Sequence, residues 1–231
     1  MFRMRITKYV ASVAMLLLIV SGCTMVQEEE VNPDDLLSLA AEKGRELKAS
    51  YKGESSVYVN GKEIYRGQTY YRGNTTAEVM ENNDSKNMMS GLTPLLTMDQ
   101  LAEMKKEASM DPRASNDQYT VLKLEIDPEE MEISLRRSMQ LQFDQIKKKY
   151  GMETLDHQTG NATKLSQEQE QFKKTLDSLK VKGAQYTLWI ERDTYVPEKV
   201  IVDTTVNYTW NGAQQSEQLK GTYALQKSKK Q

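Results

Sequence analysis

Apolar positions along the chain recur with two different periods, and the switches between them mark its elements. After a cap-type start at Asn32-Pro33-Asp34, the residues Leu36, Leu37, Ala40, Ala41 and Leu47 fall at near-helical spacing, which predicts an amphipathic helix to about Ser50. From Tyr51 the period drops to two. Ser55 to Val59 and Glu63 to Tyr71 are β-type runs on either side of Asn60-Gly61, a dipeptide that fits a two-residue hairpin turn, and a further strand is expected around Thr76 to Met80. Asn82 to Pro112 reads as helix or loop, with Met88, Met89, Leu92, Leu95, Leu96, Met98, Leu101 and Met104 as its apolar members. Strict alternation returns at Tyr119 to Ile126, where Leu122, Leu124 and Ile126 interleave with Lys123 and Glu125.

Asp127-Pro128 stops that strand and Pro128 suits the first position of a helix to about Tyr150, whose apolar line is Met131, Leu135, Met139, Phe143, Ile146 and Tyr150. Lys147 to Lys149 suit its C-terminus and Gly151 its end. A polar loop to about Thr163 leads into a charged helix, Ser166 to Val181. The remaining stretch predicts a three-stranded meander. Tyr186, Leu188 and Ile190 share a face; after a turn at Asp193 to Pro197 so do Val200, Val202, Val206, Tyr208 and Trp210; Asn211-Gly212 then turns into a strand with Leu219, Tyr223 and Leu225.

The first 22 residues stand apart from this pattern. Arg3, Arg5 and Lys8 precede an uncharged stretch, Tyr9 to Val20, too short to span a bilayer, and Val20-Ser21-Gly22-Cys23 follows. This resembles the leader and lipobox of bacterial lipoproteins, which implies cleavage before Cys23 and a diacylglycerol thioether on its sulfur. Cys23 is the only cysteine, so a disulfide framework is impossible and the fold must be held by side-chain contact alone. The expected organisation is a signal peptide over 1–22, a lipidated tether over 23–32, one α+β domain over 33–227 with a helical region at 82–150, and a disordered tail at 228–231. The tether, Thr24 to Asn32, reaches at most about 30 Å, so localisation is expected at the cell membrane, on its extracytoplasmic face.

Composition narrows the partners. The chain has 31 basic and 33 acidic residues and a formal net charge of −2, and the leader removes basic residues only, so a broad basic face for nucleic acid is not expected. Phenylalanine is scarce, at three, against 13 methionines and 12 tyrosines, so Leu, Val, Met and Tyr must fill the interior. Methionine is a flexible apolar filler that also adapts to irregular ligands, although ordinary core is the commoner use.

The segment Tyr186 to Val206, YTLWIERDTYVPEKVIVDTTV, resembles a stretch of the LolA/LppX-like lipoproteins: a strand ending in a Trp-hydrophobic-charged triplet, a D-x-x-x-P turn, then a departing strand. The order of elements over 33 to 227 is similar too, closest to the Gram-positive type. The resemblance implies a strongly curved antiparallel sheet, half of a β-barrel, whose concave face is covered by helices and encloses an apolar cavity. On that footing Met88, Met89, Leu92, Leu95, Leu96, Leu101, Met131, Leu135, Met139, Phe143, Val202, Val206 and Tyr208 are the expected ligand-lining residues. The acidic, methionine-rich region Asn82 to Tyr150 is longer than the family core needs.

Catalytic chemistry finds little to work with. His157 is the sole histidine and lies in a polar loop; G-x-S-x-G, P-loop and dinucleotide fingerprints do not occur. Glu129 and Glu130 sit in a predicted first helical turn, where carboxylates favour the helix dipole. Asp193 and Glu198 flank a turn, and loop acids are more often solvated than ligating. The sequons at Asn74, Asn161 and Asn207 are taken as chance. The expectation is a non-enzymatic monomer without metal or cofactor that binds a lipid or other apolar ligand. The alternative is an envelope protein-interaction or sensory module, for example in sporulation or envelope stress, with no small ligand and with the would-be cavity as plain core.

Overall fold

A computed structural model describes residues 31–47, 49–72, 96–149 and 162–226. In chain order the elements are α1 (Pro33–Glu46), β1 (Ser50–Val59), β2 (Lys62–Arg72), α2 (Met98–Met104), β3 (Lys105–Met110), β4 (Tyr119–Ile126), α3 (Pro128–Lys149), α4 (Ala162–Ser178), β5 (Lys180–Glu191), β6 (Pro197–Trp210) and β7 (Ala213–Leu225). The class is α+β. Among the described residues the seven strands form one antiparallel sheet, in the order β2-β1-β7-β6-β5-β4-β3, which is not closed.

Turn chemistry sets the register of the two tight hairpins. Asn60 and Gly61 have φ of 50° and 79°, and Asn211 and Gly212 have 50° and 78°, the left-handed pairs that let a two-residue turn match the twist of its strands. Each turn closes so that alternate side chains keep to one face. On β6 that face carries Val200, Val202, Thr204, Val206 and Tyr208, all buried. Val202 pairs with Tyr186 of β5 and Gly221 of β7, and Tyr186 with Leu124 of β4, so the buried face is continuous across the sheet. The other face is polar where it is most open, with Lys123, Glu125, Gln185 and Lys220 exposed. A sheet patterned this way buries one side and wets the other.

All four described helices lie on the buried side. Leu36, Leu37, Ala40 and Ala41 of α1, Leu101 and Met104 of α2, Met131, Leu135 and Met139 of α3, and Leu176 of α4 join the strand residues in one apolar cluster. Cap and end chemistry places them. Thr97 and Gln100 form a reciprocal capping box at the start of α2, and Asp127 Oδ1 accepts from the amides of Glu129 and Glu130 at the start of α3. An Arg45–Asp99 ion pair ties α1 to α2. The guanidinium of Arg136 on α3 donates to the carbonyls of Asp177 and Leu179, taking up acceptors that the end of α4 leaves open.

Three sequence expectations need correction. Lys105 to Met110 is a strand and not part of a helical region, because its backbone is recruited as an edge partner of β4. Its charged residues suit an edge, where they discourage pairing with another chain. The helix expected to end at Val181 ends at Ser178, and Val181 instead turns inward from β5 opposite Val206. Leu47 lies beyond α1 and is 56 % exposed, so it does not extend the apolar stripe. The strand expected at Thr76 to Met80 lies outside the described residues.

Small residues mark one row of the sheet. Gly67 on β2, Ser55 on β1 and Gly221 on β7 are successive cross-strand neighbours on the buried side. The rings of Tyr65 and Tyr223 fold back along their own strands over Gly67 and Gly221, occupying the space that a Cβ would take. Next to this row, a methyl group on Gly53 would overlap the Thr222 carbonyl, so β1 and β7 approach there as only glycine allows.

Candidate functional site

The region with the strongest claim to function is the layer between sheet and helices. Leu96, Leu101, Met131, Leu135, Met139, Val202, Val206 and Tyr208, picked from the sequence on three widely separated segments, meet there in the one buried cluster. Phe143 stands at its margin, stacked on Phe172 of α4 with ring centroids 4.2 Å apart. Met88, Met89, Leu92 and Leu95, together with Cys23 and His157, lie outside the described residues.

The sequence pattern marked Tyr186 and Tyr223 as inward-facing but did not single out the other polar groups carried into this layer. Tyr51, Tyr186 and Tyr223 are among its largest fully buried side chains, and Ser55, Thr204 and Glu217 are buried beside them. Most are paired. The Tyr51 hydroxyl donates to the Pro197 carbonyl at 2.7 Å, the Tyr186 oxygen accepts from the Leu96 amide at 3.3 Å, and Tyr223 is hydrogen-bonded with Ser55. Burial drives the Tyr51 and Tyr186 phenols well above their ordinary range and Tyr223 up to about 12, so all three are neutral hydrogen-bonding groups and not bases at neutral pH. The Thr204 hydroxyl is buried beside the Tyr186 phenol and interacts with it.

Glu217 is the unusual member. It is 2 % exposed on the inner face of β7, opposite Val206 of β6 and Val59 of β1. Tyr208 donates to its Oε2 at 3.4 Å. Burial pushes the carboxyl up to about 7 even though that hydroxyl pulls the other way, because a carboxylate loses more hydration there than one long bond returns. Its signal in the sequence was parity: in AQQSEQLKGTYAL, Glu217 is in step with Leu219, Gly221 and Tyr223 and therefore faces inward.

Chemically, this layer sets apolar side chains against uncharged hydroxyls. Glu129 and Glu130 occupy the first turn of α3, and Glu198 accepts from Tyr119 at 2.7 Å. Asp193 is exposed in the β5–β6 turn. Among the described residues no group of three or more His, Cys, Asp or Glu side chains converges as a metal site would, and no helix is long and apolar enough to cross a membrane. A separate hollow of about 300 Å3 opens on the polar face of the sheet, lined by Glu107, Ser109, Lys123, Glu125, Gln185 and Thr187. Its ion pairs, Lys106–Glu125 and Lys123–Asp111, face solvent and are worth little there. Compared with known proteins, the chain matches no family model, no curated protein and no solved structure.

Proposed function

We propose that this chain is a membrane-anchored extracytoplasmic lipoprotein of LolA/LppX-like type that binds a lipid or similar apolar ligand, without catalysis, between its sheet and its helices. The observation that carries this reading is the make-up of that layer. One face of an unclosed sheet is covered by helices that present Met104, Met131 and Met139 to it, so the lid is built from side chains that can re-form around a guest. The Gly67–Ser55–Gly221 row supports the curved, half-barrel form of the sheet, since rows without bulk are where strands coil most readily. Binding would be driven by apolar area removed from water, about 25 cal/mol per Å2, with the buried hydroxyls orienting a polar end. The anchor would be Cys23.

Native mass spectrometry of the protein released from bacterial membranes tests the binding, and fluorescence of Trp189 and Trp210 during lipid titration follows it. The expected outcome is a co-purifying mass in the lipid range that a Met131→Trp variant, with its larger side chain in the layer, loses. A protein that is empty from every preparation and whose fluorescence ignores lipid refutes the proposal. Incorporation of labelled palmitate, lost in Cys23→Ala, tests the anchor separately.

One observation favours the alternative of a protein-interaction module. Ile133 and Leu141, two turns apart on α3, are 56 % and 57 % exposed, an apolar pair facing away from the core. Crosslinking in intact cells that depends on these two side chains and not on Met131 would support that reading.

A further inference from the structure

The inner face of the sheet carries hydroxyls along one row where an apolar layer needs none. Gly67 of β2, Ser55 of β1, Gly221 of β7, Val202 of β6 and Tyr186 of β5 are successive cross-strand neighbours. The Tyr65 hydroxyl lies over Gly67 and the Tyr223 hydroxyl over Gly221, so the two flank Ser55, with which Tyr223 is hydrogen-bonded. At the β5 end the Tyr186 phenol interacts with Thr204 and accepts from the amide of Leu96, the residue before the Thr97 cap of α2. Phenylalanine at 186 or 223 would bury the same ring without a polar atom to satisfy, so packing alone does not account for these hydroxyls. We propose, building on the reading that a lipid binds in this layer, that the row receives the polar end of that lipid and that this end is uncharged. An ester or alcohol, such as an acylglycerol presents, fits it; a carboxylate or phosphodiester does not.

The two glycines give the row its shape. A Cβ on Gly67 or Gly221 would collide with the ring of Tyr65 or Tyr223, so ring and backbone touch there. Turning either ring aside uncovers the strand itself beside the Ser55 hydroxyl, with the phenols as walls of a shallow trough. A guest that hydrogen-bonds in this trough replaces contacts that the hydroxyls make with one another, and the exchange leaves no buried polar atom unpaired.

Charge decides the class of guest. Among the described residues the buried polar and charged side chains other than the tyrosines are Ser55, Thr175, Thr204 and Glu217, three hydroxyls and one carboxyl. Burial keeps the phenols of Tyr186 and Tyr223 protonated at neutral pH, so the row donates and accepts hydrogen bonds without carrying charge. An anion moved there from water exchanges its hydration for hydroxyls alone, a loss that a paired countercharge would have to offset. An ester or alcohol gives up far less hydration and recovers it from the same hydroxyls.

Native mass spectrometry of the delipidated full chain tests this with four probes that share one long hydrocarbon chain: monooleoylglycerol, oleate, oleoyl-lysophosphatidylglycerol and octadecene. At about pH 8 monooleoylglycerol is expected to bind about tenfold or more tighter than either anion. Its affinity should be flat with pH, while oleate, admitted only as the neutral acid, weakens about tenfold per pH unit. Ser55→Ala and Tyr223→Phe should each weaken monooleoylglycerol about fivefold and leave octadecene unchanged. Ser55→Ala carries the test alone if the tyrosine variant does not fold. Either anion binding as tightly as the acylglycerol overturns the inference while leaving lipid binding intact, as does an equal loss of octadecene in the variants. A protein that takes up none of the four probes refutes binding in this layer itself, and the inference falls with it.

Discussion

Two neighbouring residues of α3 show how differently the fold treats chemically similar side chains. Met131 is fully enclosed in the layer between helices and sheet, whereas Ile133, two positions on, is 56 % exposed. Met131→Ala should cost about 3 kcal/mol by urea unfolding, the lost transfer energy plus an unfilled cavity, and Ile133→Ala less than about 0.5 kcal/mol. Similar losses for the two variants would mean that α3 is seated on another face. At Gly53 the constraint is backbone against backbone. A Cβ there overlaps the Thr222 carbonyl, which cannot rotate away as a side chain can, so Gly53→Ala should destabilise by about 3 kcal/mol and disturb the β1–β7 ladder first.

At the scale of elements, α3 begins where the Asp127 carboxylate takes up the amides of Glu129 and Glu130. Asp127→Ala should cost about 1 kcal/mol and expose the first turn of α3 to hydrogen exchange while its last turn keeps its protection. How legible each element was depended on what holds it. The meander of β5, β6 and β7 could be read almost residue by residue, because alternation, Asn211-Gly212 and burial agree at every position. Strand β3 could not, since Lys105-Lys106-Glu107-Ala108-Ser109-Met110 has no alternating apolar face and owes its conformation to β4, which is remote from any local signal. The boundary of α4 was blurred for a related reason: Val181 continues an apolar spacing while serving the next strand. In the candidate site the apolar members could be picked by periodicity. Glu217, Thr204 and Ser55 were missed because they are polar, although each keeps step with the buried residues of its own strand. Among the sequence-picked residues, those from Leu96 onward meet, with Phe143 at the margin, and the cavity they were chosen to line stays a proposal.

Over the whole molecule, the sheet presents two unlike sides, and the four described helices use only one. That asymmetry leaves the hollow around Lys123 and Gln185 open to solvent and puts every buried methionine of α2 and α3 on the covered side. The central strand of the order is β6, but β7 is the one that joins the first hairpin to the rest, pairing with β1 over Tyr51 to Val59 and with β6 over Lys199 to Trp210. Ending the chain at Asn211 should therefore remove far more than one strand. The β1–β2 hairpin loses its only described strand pairing with the rest of the sheet, and the truncated protein should show no cooperative thermal transition by circular dichroism. A cooperative transition near that of the full chain would show that the hairpin is dispensable. The same pairing carries a consequence in time. A chain made from its N-terminus onward holds β1 and β2 without their neighbour until the last strand has been synthesised, and contacts this distant in sequence form slowly. The molecule is thus built to finish folding late, only once β7 is there to seat the first hairpin.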